Sequence, residues 1–188
     1  VRGAPDAKRS VASAAFWGTH QAGITTKQPS HCYFAAFDLT TDKRAAVIAL
    51  LRAWTNTAAR LTAGQTAEPM GTDQDVPGPD SADAIGLSPA RLTLTFGFGP
   101  GLFVKDGKDR YGLAGLRPDA LIDLPRFNGD QLVEEKTGGD LSIQACADDP
   151  QVAFHAVRQL ARLSYDAADL RWSQTGFTSR PTDGSTTR

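Results

Sequence analysis

The chain has 188 residues, enough for one domain with a sizeable hydrophobic core. It carries 20 Lys and Arg against 21 Asp and Glu, so it has no basic excess that would attract nucleic acid. Hydrophobic residues make up 40% of the composition, which excludes wholesale disorder, and no apolar run approaches the ~18 residues of a membrane span. We therefore expect neither nucleic acid nor a membrane as partner.

The two ends are predicted to lie outside the folded core. Residues 1–17 start at Val1 rather than Met and are polar at first, so we interpret them as an arm or the remainder of a processed leader. Residues 178–188 are almost all Thr, Ser, Arg, Pro, Asp and Gly, which is typical of an exposed tail or linker. The domain itself is expected at residues 18–177.

The first two periodic segments predict a strand and a helix. His31–Leu39 is apolar at almost every position, as expected for a strand covered on both faces. Lys43–Thr62 repeats apolar residues at helical spacing. Thr41 or Asp42 is the predicted cap of this helix, and Gly64 is its predicted end.

A loop rich in acidic residues follows at residues 65–89. It contains no Lys or Arg, and its acidic residues are Glu68, Asp73, Asp75, Asp80 and Asp83. We interpret it as a solvated loop. A calcium-binding loop is the less favoured alternative, because the Gly and Glu placement of an EF-hand is missing.

Two strands with alternating apolar residues come next, at Arg91–Phe98 and Asp140–Cys146. The insertion between them, residues 100–139, is irregular, with one short helix predicted to start at Pro118. A second long helix is predicted to begin at Asp149-Pro150, with an apolar stripe of Ala153, Phe154, Val157, Leu160 and Ala161. The last predicted strand is Asp169–Phe177.

The element order β-α-β-β-α-β predicts a ferredoxin-like α+β fold, an antiparallel sheet with two helices on one face. The first and third strands are then central, and the other face of the sheet needs a partner. Cys32 begins the first strand and Cys146 ends the third, so we predict that the two are close neighbours. Whether they form a disulfide is left open, with free thiols favoured.

The residues that carry chemistry form no recognisable site. His155 is predicted on a solvated helix face, His31 at a strand start and His20 in a loop, and none has a second ligand at metal spacing. Residues 97–101 (GFGPG) are a turn rather than a phosphate loop, because Pro100 removes a donor amide. We therefore predict no catalytic, cofactor-binding or metal-binding residue in this chain.

Several longer stretches resemble the N-terminal half of bacterial dye-decolourising (DyP-type) haem peroxidases. They are His20–Ile24, Phe34–Asp38, Leu92–Phe103, Leu124–Asp130, Gly138–Ala147 and Arg171–Phe177. The resemblance is closest to the secreted branch that includes deferrochelatases. It implies one half of a two-domain, dimeric α+β-barrel-like fold, in which the second half covers the open sheet face.

The resemblance implies an enzyme in which haem b reacts with hydrogen peroxide and then takes electrons from dyes, phenols or similar reductants. The family's G-x-x-D-G motif, its haem ligand and its distal arginine would all follow Arg188, and Asp183-Gly184 is not that motif. The C-terminal half is thus the implied partner and haem carrier, an oligomer is possible, and this chain alone is expected to be inactive.

The resemblance also implies export by the twin-arginine route, with a cytoplasmic location as the alternative. The competing functional interpretation is a stand-alone, non-enzymatic ferredoxin-like module that dimerises through its open sheet face. Trp172 and Tyr165 are interpreted as packing aromatics rather than as an electron relay to the surface.

Overall fold

A computed structural model describes residues 13–69, 71, 78–122 and 124–178 of the chain. Residues 1–12 of the predicted arm, Asp73 and Asp75 of the acidic loop, and residues 179–188 with Asp183-Gly184 lie outside these ranges. The described helices and strands, in chain order, are β1 (His31–Leu39), α1 (Arg44–Thr62), β2 (Thr93–Phe98), β3 (Leu141–Ala147), α2 (Pro150–Leu163) and β4 (Ala168–Phe177).

The four strands form one antiparallel sheet with the order β2-β3-β1-β4. The first and third strands are therefore central, which confirms the predicted ferredoxin-like arrangement. Cys32 pairs directly with Cys146, so the prediction that the two cysteines are neighbours is also confirmed.

Both helices pack on the same face of the sheet, and Trp54 of α1 connects the layers. Its ring stacks on Phe96 of β2 at 5.4 Å between centroids and meets Phe37 of β1 edge to face at 5.3 Å. Its indole Nε1 donates a 2.8 Å hydrogen bond to the carbonyl of Leu160 in α2. The sheet side of the core includes alternating residues of β3 (Leu141, Ile143 and Ala145) and of β1 (Ala35, Phe37 and Leu39).

The helix ends follow the predicted chemistry at two of the three ends for which the sequence makes a prediction. Gly64 ends α1 with φ +76°, a conformation in which glycine is favoured. The Asp149 side chain caps α2 by accepting a 2.8 Å bond from the backbone N of Gln151, and Pro150 occupies the first turn. The predicted cap of α1 is wrong: Lys43 is the N-cap residue, and no side chain caps the helix.

Two further expectations are corrected by backbone geometry. The strand predicted from Arg91 begins at Thr93, because Arg91 has a positive φ of 52° that extended backbone does not allow. The helix predicted at Pro118 is absent from the described residues. Only a turn forms there, closed by a 2.9 Å bond from Leu121 N to the Pro118 carbonyl, while Ala114–Leu116 forms a single 3₁₀ turn just before it.

The buried side of α2 is rotated relative to the predicted stripe. Phe154 is 40% exposed, with its ring edge-to-face against Tyr33 at 5.7 Å, whereas Val152 and Ala156 are buried. The reason is that residues 78–89 of the acidic loop lie beside the helix and cover a second side of it, as the contacts of His155 below establish.

Candidate functional site

The sheet face opposite the helices is the candidate functional surface, which we call the open face. The register places four strands' side chains on it, namely Cys32, Phe34, Ala36, Thr93, Thr95, Gly97, Ser142, Gln144, Cys146, Trp172, Gln174 and Gly176. These side chains are neutral, and most are small or polar. These positions of the open face are therefore uncharged, and charge enters at the end of the sheet, where Asp38 is the next position of β1 on this side.

The segment before β1 frames the open face at the outer strand β2. A Cβ placed on Gly23 would lie 3.1 Å from Thr95 Oγ1 and 3.8 Å from the Cβ of Thr93, both on the open face. On the other side of the sheet, Phe16 packs against the core. Residues 16–23 thus pass around the outer edge of β2. They protect this edge strand from pairing with a further strand.

The segment before β3 frames the open face at the other outer strand. Trp172 of β4 stacks on Phe34 at 5.2 Å, and its Nε1 donates a 2.9 Å bond to the carbonyl of Gly138. Trp172 is therefore a packing aromatic, as predicted. Tyr165 is not, because it is 83% exposed in the turn before β4.

A network of charged side chains closes one end of the sheet. Asp140 is buried, and its Oδ2 accepts bonds from Lys105 Nζ at 2.8 Å and Arg110 Nη2 at 3.2 Å. Lys105 also contacts Asp38 Oδ1 at 3.1 Å, and Arg171 contacts Asp38 Oδ2 at 2.9 Å. Asp38 is near the end of β1, Asp140 directly precedes β3, and Arg171 is in the first half of β4. The network therefore fastens the 100–111 part of the insertion to all three strands.

The network holds Asp38 and Lys105 in their charged forms. Burial alone would raise the pKa of Asp38, but hydrogen bonds from Arg171 and Lys105 outweigh it and lower that pKa. Burial alone would likewise lower the pKa of Lys105, and its two carboxylate partners, Asp140 and Asp38, raise it instead. Asp38 and Lys105 are thus held as ions by their partners, whereas the buried Nε of Arg110 has no hydrogen-bond partner among the described residues.

The glycines at residues 97–101 are explained by the same corner. A Cβ on Gly99 would collide with the backbone oxygen of Gly139, and a Cβ on Gly101 would collide with Asp140 Oδ1. The backbone N of Gly99 instead donates a 2.8 Å bond to the carbonyl of Asp140. The interpretation as a turn is confirmed, and the glycines allow close backbone approach.

His155 is not on a solvated face, contrary to the prediction. It is 5% exposed, and its Nε2 lies 3.4 Å from Oδ1 of Asp80, whose side chain is fully buried. The two oxygens of Asp80 also accept backbone bonds from Ala67 at 2.6 Å and Ala82 at 2.7 Å. The acidic loop is therefore solvated only in part, because Asp80 pins it against α2.

This cluster borders a cavity of about 230 Å³ between the end of α1, the loop and α2. The sequence analysis missed it because Asp80 and His155 are far apart in the chain. One signal was available: Val152 and Ala156 flank His155 and make the apolar arc of α2 wider than one stripe.

The other histidines lie where their positions in the sequence predicted. His31 begins β1 on the helix side of the sheet, since it pairs with buried Ala147, and His20 is exposed in the segment that passes around β2. No three His, Cys, Asp or Glu side chains among the described residues are grouped so that they could hold a metal ion. Across the same residues, no helix has the length and apolar character needed to cross a membrane.

Known proteins match this chain over nearly all of its described length. The family model for the N-terminal part of Dyp-type peroxidases matches residues 21–178. The deferrochelatase of Escherichia coli K12 is 34% identical over 176 residues, which cover 93% of this chain and 40% of that protein. The dye-decolorizing peroxidase of Thermobifida fusca is 36% identical over 179 residues, covering 91% of this chain and 37% of that protein.

Solved structures agree with the sequence matches. Ferric DtpA from Streptomyces lividans superposes with a TM-score of 0.78 at 40% identity, over 96% of this chain and 45% of that one. A DyP-type peroxidase from Cellulomonas bogoriensis superposes with the same TM-score of 0.78 at 38% identity, over 94% of this chain and 46% of that one. This chain thus spans about two fifths of its curated relatives, and it belongs to the DyP-type peroxidase family, where it corresponds to the N-terminal half.

Proposed function

We propose that this chain is the N-terminal half of a haem-dependent peroxidase that uses hydrogen peroxide to oxidise dyes, phenols or similar reductants. The observation that carries the proposal is the match to peroxidases along residues 21–178, together with a sheet that has one uncovered face. Relatives named as peroxidases favour this function over a stand-alone module that dimerises through the open face.

The part we assign to this chain is to shape the haem cavity and to brace the C-terminal half. Ala36, Gly97 and Ser142 occupy neighbouring positions on the open face and are all small. Sheets that pack face to face lie ~10 Å apart, and small neutral side chains favour such close approach. The charged network fastens the 100–111 part of the insertion at one end of the sheet.

The described residues do not fit the axial ligation of haem iron by histidine or thiolate. Haem iron needs such a ligand facing a protected cavity. His31 and His155 lie on the helix side of the sheet, and His20 is exposed. Burial, followed by the neighbouring Cys146, raises the pKa of Cys32 to about 11, so its thiol is neutral near pH 7. We therefore propose that haem b is held and ligated by the C-terminal half, and that this chain supplies no catalytic, cofactor-binding or metal-binding residue.

Reconstitution with haemin tests this assignment. The 188-residue chain with haemin should give no ligated Soret band and no peroxide-dependent dye oxidation, whereas the chain combined with the C-terminal half of such a peroxidase should give both. A histidine-ligated, peroxide-competent haem on the isolated chain would contradict the ligand assignment. Absence of both signals in the combined halves would contradict the peroxidase assignment.

A pair of matched variants tests the role of the open face. Gln144→Glu places a charge in the middle of this surface and should weaken association of the halves. Gln151→Glu makes the same change on α2, where the side chain is exposed on the far side of the sheet, and should leave association unchanged. Equal association of both variants in a pull-down or by calorimetry would show that the halves meet elsewhere.

The resemblance to the secreted branch supports a further part of the proposal, export by the twin-arginine route. Fractionation of cells that express the complete natural gene tests it. Peroxidase activity outside the cytoplasm, lost when the export pathway is disabled, is the expected result, and activity confined to the cytoplasm contradicts it.

A further inference from the structure

Cys32 and Cys146 lie directly opposite each other on the two central strands and on the open face. Directly opposed residues of antiparallel strands have Cα atoms ~4.5–5.5 Å apart. This spacing falls within the ~4.4–6.8 Å range of disulfides. Both residues are free thiols. A bond between the two sulfurs is therefore within reach without a change of strand register.

The surroundings of the pair admit a small reagent and keep the Cys32 thiol protonated near pH 7. The neighbour of Cys32 on β4 is Gly176, which has no side chain, and a Cβ built there would meet nothing within 4 Å. Burial is the largest cause of the raised pKa of Cys32, and the proximity of Cys146 adds to it. While the C-terminal half does not cover the open face, the pair is thus accessible to a compact oxidant, and Cys32 is slow to react with it at neutral pH.

We propose that Cys32 and Cys146 form a reversible dithiol–disulfide pair that hydrogen peroxide oxidises, cross-linking β1 to β3 on the open face. The inference goes beyond the proposed peroxidase function and does not require haem, although hydrogen peroxide is the oxidant class in both. Neither cysteine has a part in the haem chemistry assigned above.

The reaction balances with one hydrogen peroxide per pair. The thiolate of one cysteine attacks a peroxide oxygen, the O–O bond breaks, and a sulfenic acid forms while the released hydroxide takes up a proton as water. The second thiol then attacks the sulfenic sulfur, so that the S–S bond forms and a second water leaves. Two electrons pass from the sulfurs to the peroxide oxygens.

The same geometry makes the bond reversible. Side chains that face each other directly across a strand pair suit relaxed disulfide geometry poorly, and strained disulfides are more easily reduced. We therefore expect a thiol reductant such as dithiothreitol to reopen the bond in the folded chain.

Alkylation followed by mass spectrometry tests the pair in the chain as it exists. Before peroxide, the unfolded chain should take up two N-ethylmaleimide groups. After stoichiometric peroxide it should take up none and be lighter by two hydrogens, and dithiothreitol should restore both sites. A digest should contain one peptide pair that joins Cys32 to Cys146. The oxidation rate should rise between about pH 7 and pH 9 because the thiolate is the attacking form.

The single variants Cys32→Ser and Cys146→Ser are the matched controls. Each should gain oxygen on its remaining thiol and form no internal cross-link. Oxygen addition that peptide mapping locates on Cys32 or Cys146 of the unaltered chain, two thiols that stay open to alkylation, or a cross-link only between molecules would each overturn the proposal. Peptide mapping of the unaltered chain gives the result even if a variant fails to fold. Because added peroxide is used without haem, failure here is distinguishable from absence of a Soret band in the combined halves.

Discussion

Replacing the buried carboxylate of Asp140 by an amide should destabilise the chain more than any other conservative polar substitution in the charged network. Asp140 is 3% exposed and accepts bonds from Lys105, Arg110 and the backbone N of Leu39. In Asp140→Asn the amide oxygen can still accept from Leu39 N. The two cations lose a charged acceptor, and Arg110, whose side chain is only 13% exposed, is left poorly solvated.

The size of the effect follows from these exposures. A hydrogen bond to a charged group contributes ~1.5–3 kcal/mol, and stranding a buried partner costs more than the bond itself. The Lys105 side chain is 31% exposed, so in the variant its ammonium group can be hydrated and still pairs with Asp38. The lost Lys105–Asp140 bond therefore contributes less to the expected destabilisation than the lost Arg110–Asp140 bond. We expect a loss of ~2–4 kcal/mol, out of the ~5–15 kcal/mol typical of whole domains.

Urea unfolding at pH 7, followed by far-ultraviolet circular dichroism, measures this loss. The midpoint for Asp140→Asn should fall by ~1 M at an unchanged slope. The matched control is Asp42→Asn, which removes a carboxylate 3.8 Å from the same Arg110 but 85% exposed, and it should change stability by less than ~0.5 kcal/mol. If the two variants unfolded at the same midpoint, the network would not be what fastens the insertion to the sheet.

Three further substitutions test other parts of the structure by the same titration. Gly101→Ala should cost ~1–3 kcal/mol, because its Cβ would collide with a carboxylate, whereas Gly115→Ala, with nothing within 4 Å, should be close to neutral. Trp54→Phe leaves the Leu160 carbonyl without its indole donor and should cost at least ~2 kcal/mol; a midpoint equal to that of the unaltered chain would contradict this role. Asp38→Asn should make the free energy of unfolding fall less steeply as the pH is lowered from 5 to 3. The folded-state pKa of Asp38 is lowered from 3.8 despite its burial, so its stabilisation is complete above about pH 5 and is lost as the pH falls through the folded-state value. An unchanged slope between pH 5 and pH 3 in this variant would exclude that contribution.

The elements that local periodicity governs were predictable from the sequence. The alternation in β3 and the helical spacing in α1 are set by burial on one side of each element, and the structure has both within a few residues of the predicted bounds. Strand order followed because the β-α-β-β-α-β sequence of elements leaves few arrangements of the sheet. The pairing of Cys32 with Cys146 followed in turn from that order.

Contacts made by irregular segments were not predictable in the same way. Arg158, Gln159 and Arg162 on the same side of α2 predict a solvated position for His155. The buried Asp80 that meets it belongs to a loop with no periodic signal. The network around Asp140 depends on Lys105 and Arg110, which project from irregular backbone. Such pairs are separated widely in sequence, so no short window contains both partners.

The glycine-rich stretch at residues 97–101 joins a strand that periodicity predicts, β2, to the irregular insertion, whose contacts periodicity does not predict. Its spacing fits no phosphate-binding motif, yet three of its five residues are glycines, and each glycine faces the start of β3. Side chains at Gly97, Gly99 and Gly101 would collide with Ser142, Gly139 and Asp140 respectively. The stretch is therefore a packing motif, which lets β2 leave the sheet beside β3 and brings Lys105 to Asp140. Its side-chain restrictions come from the corner of the sheet that holds the insertion.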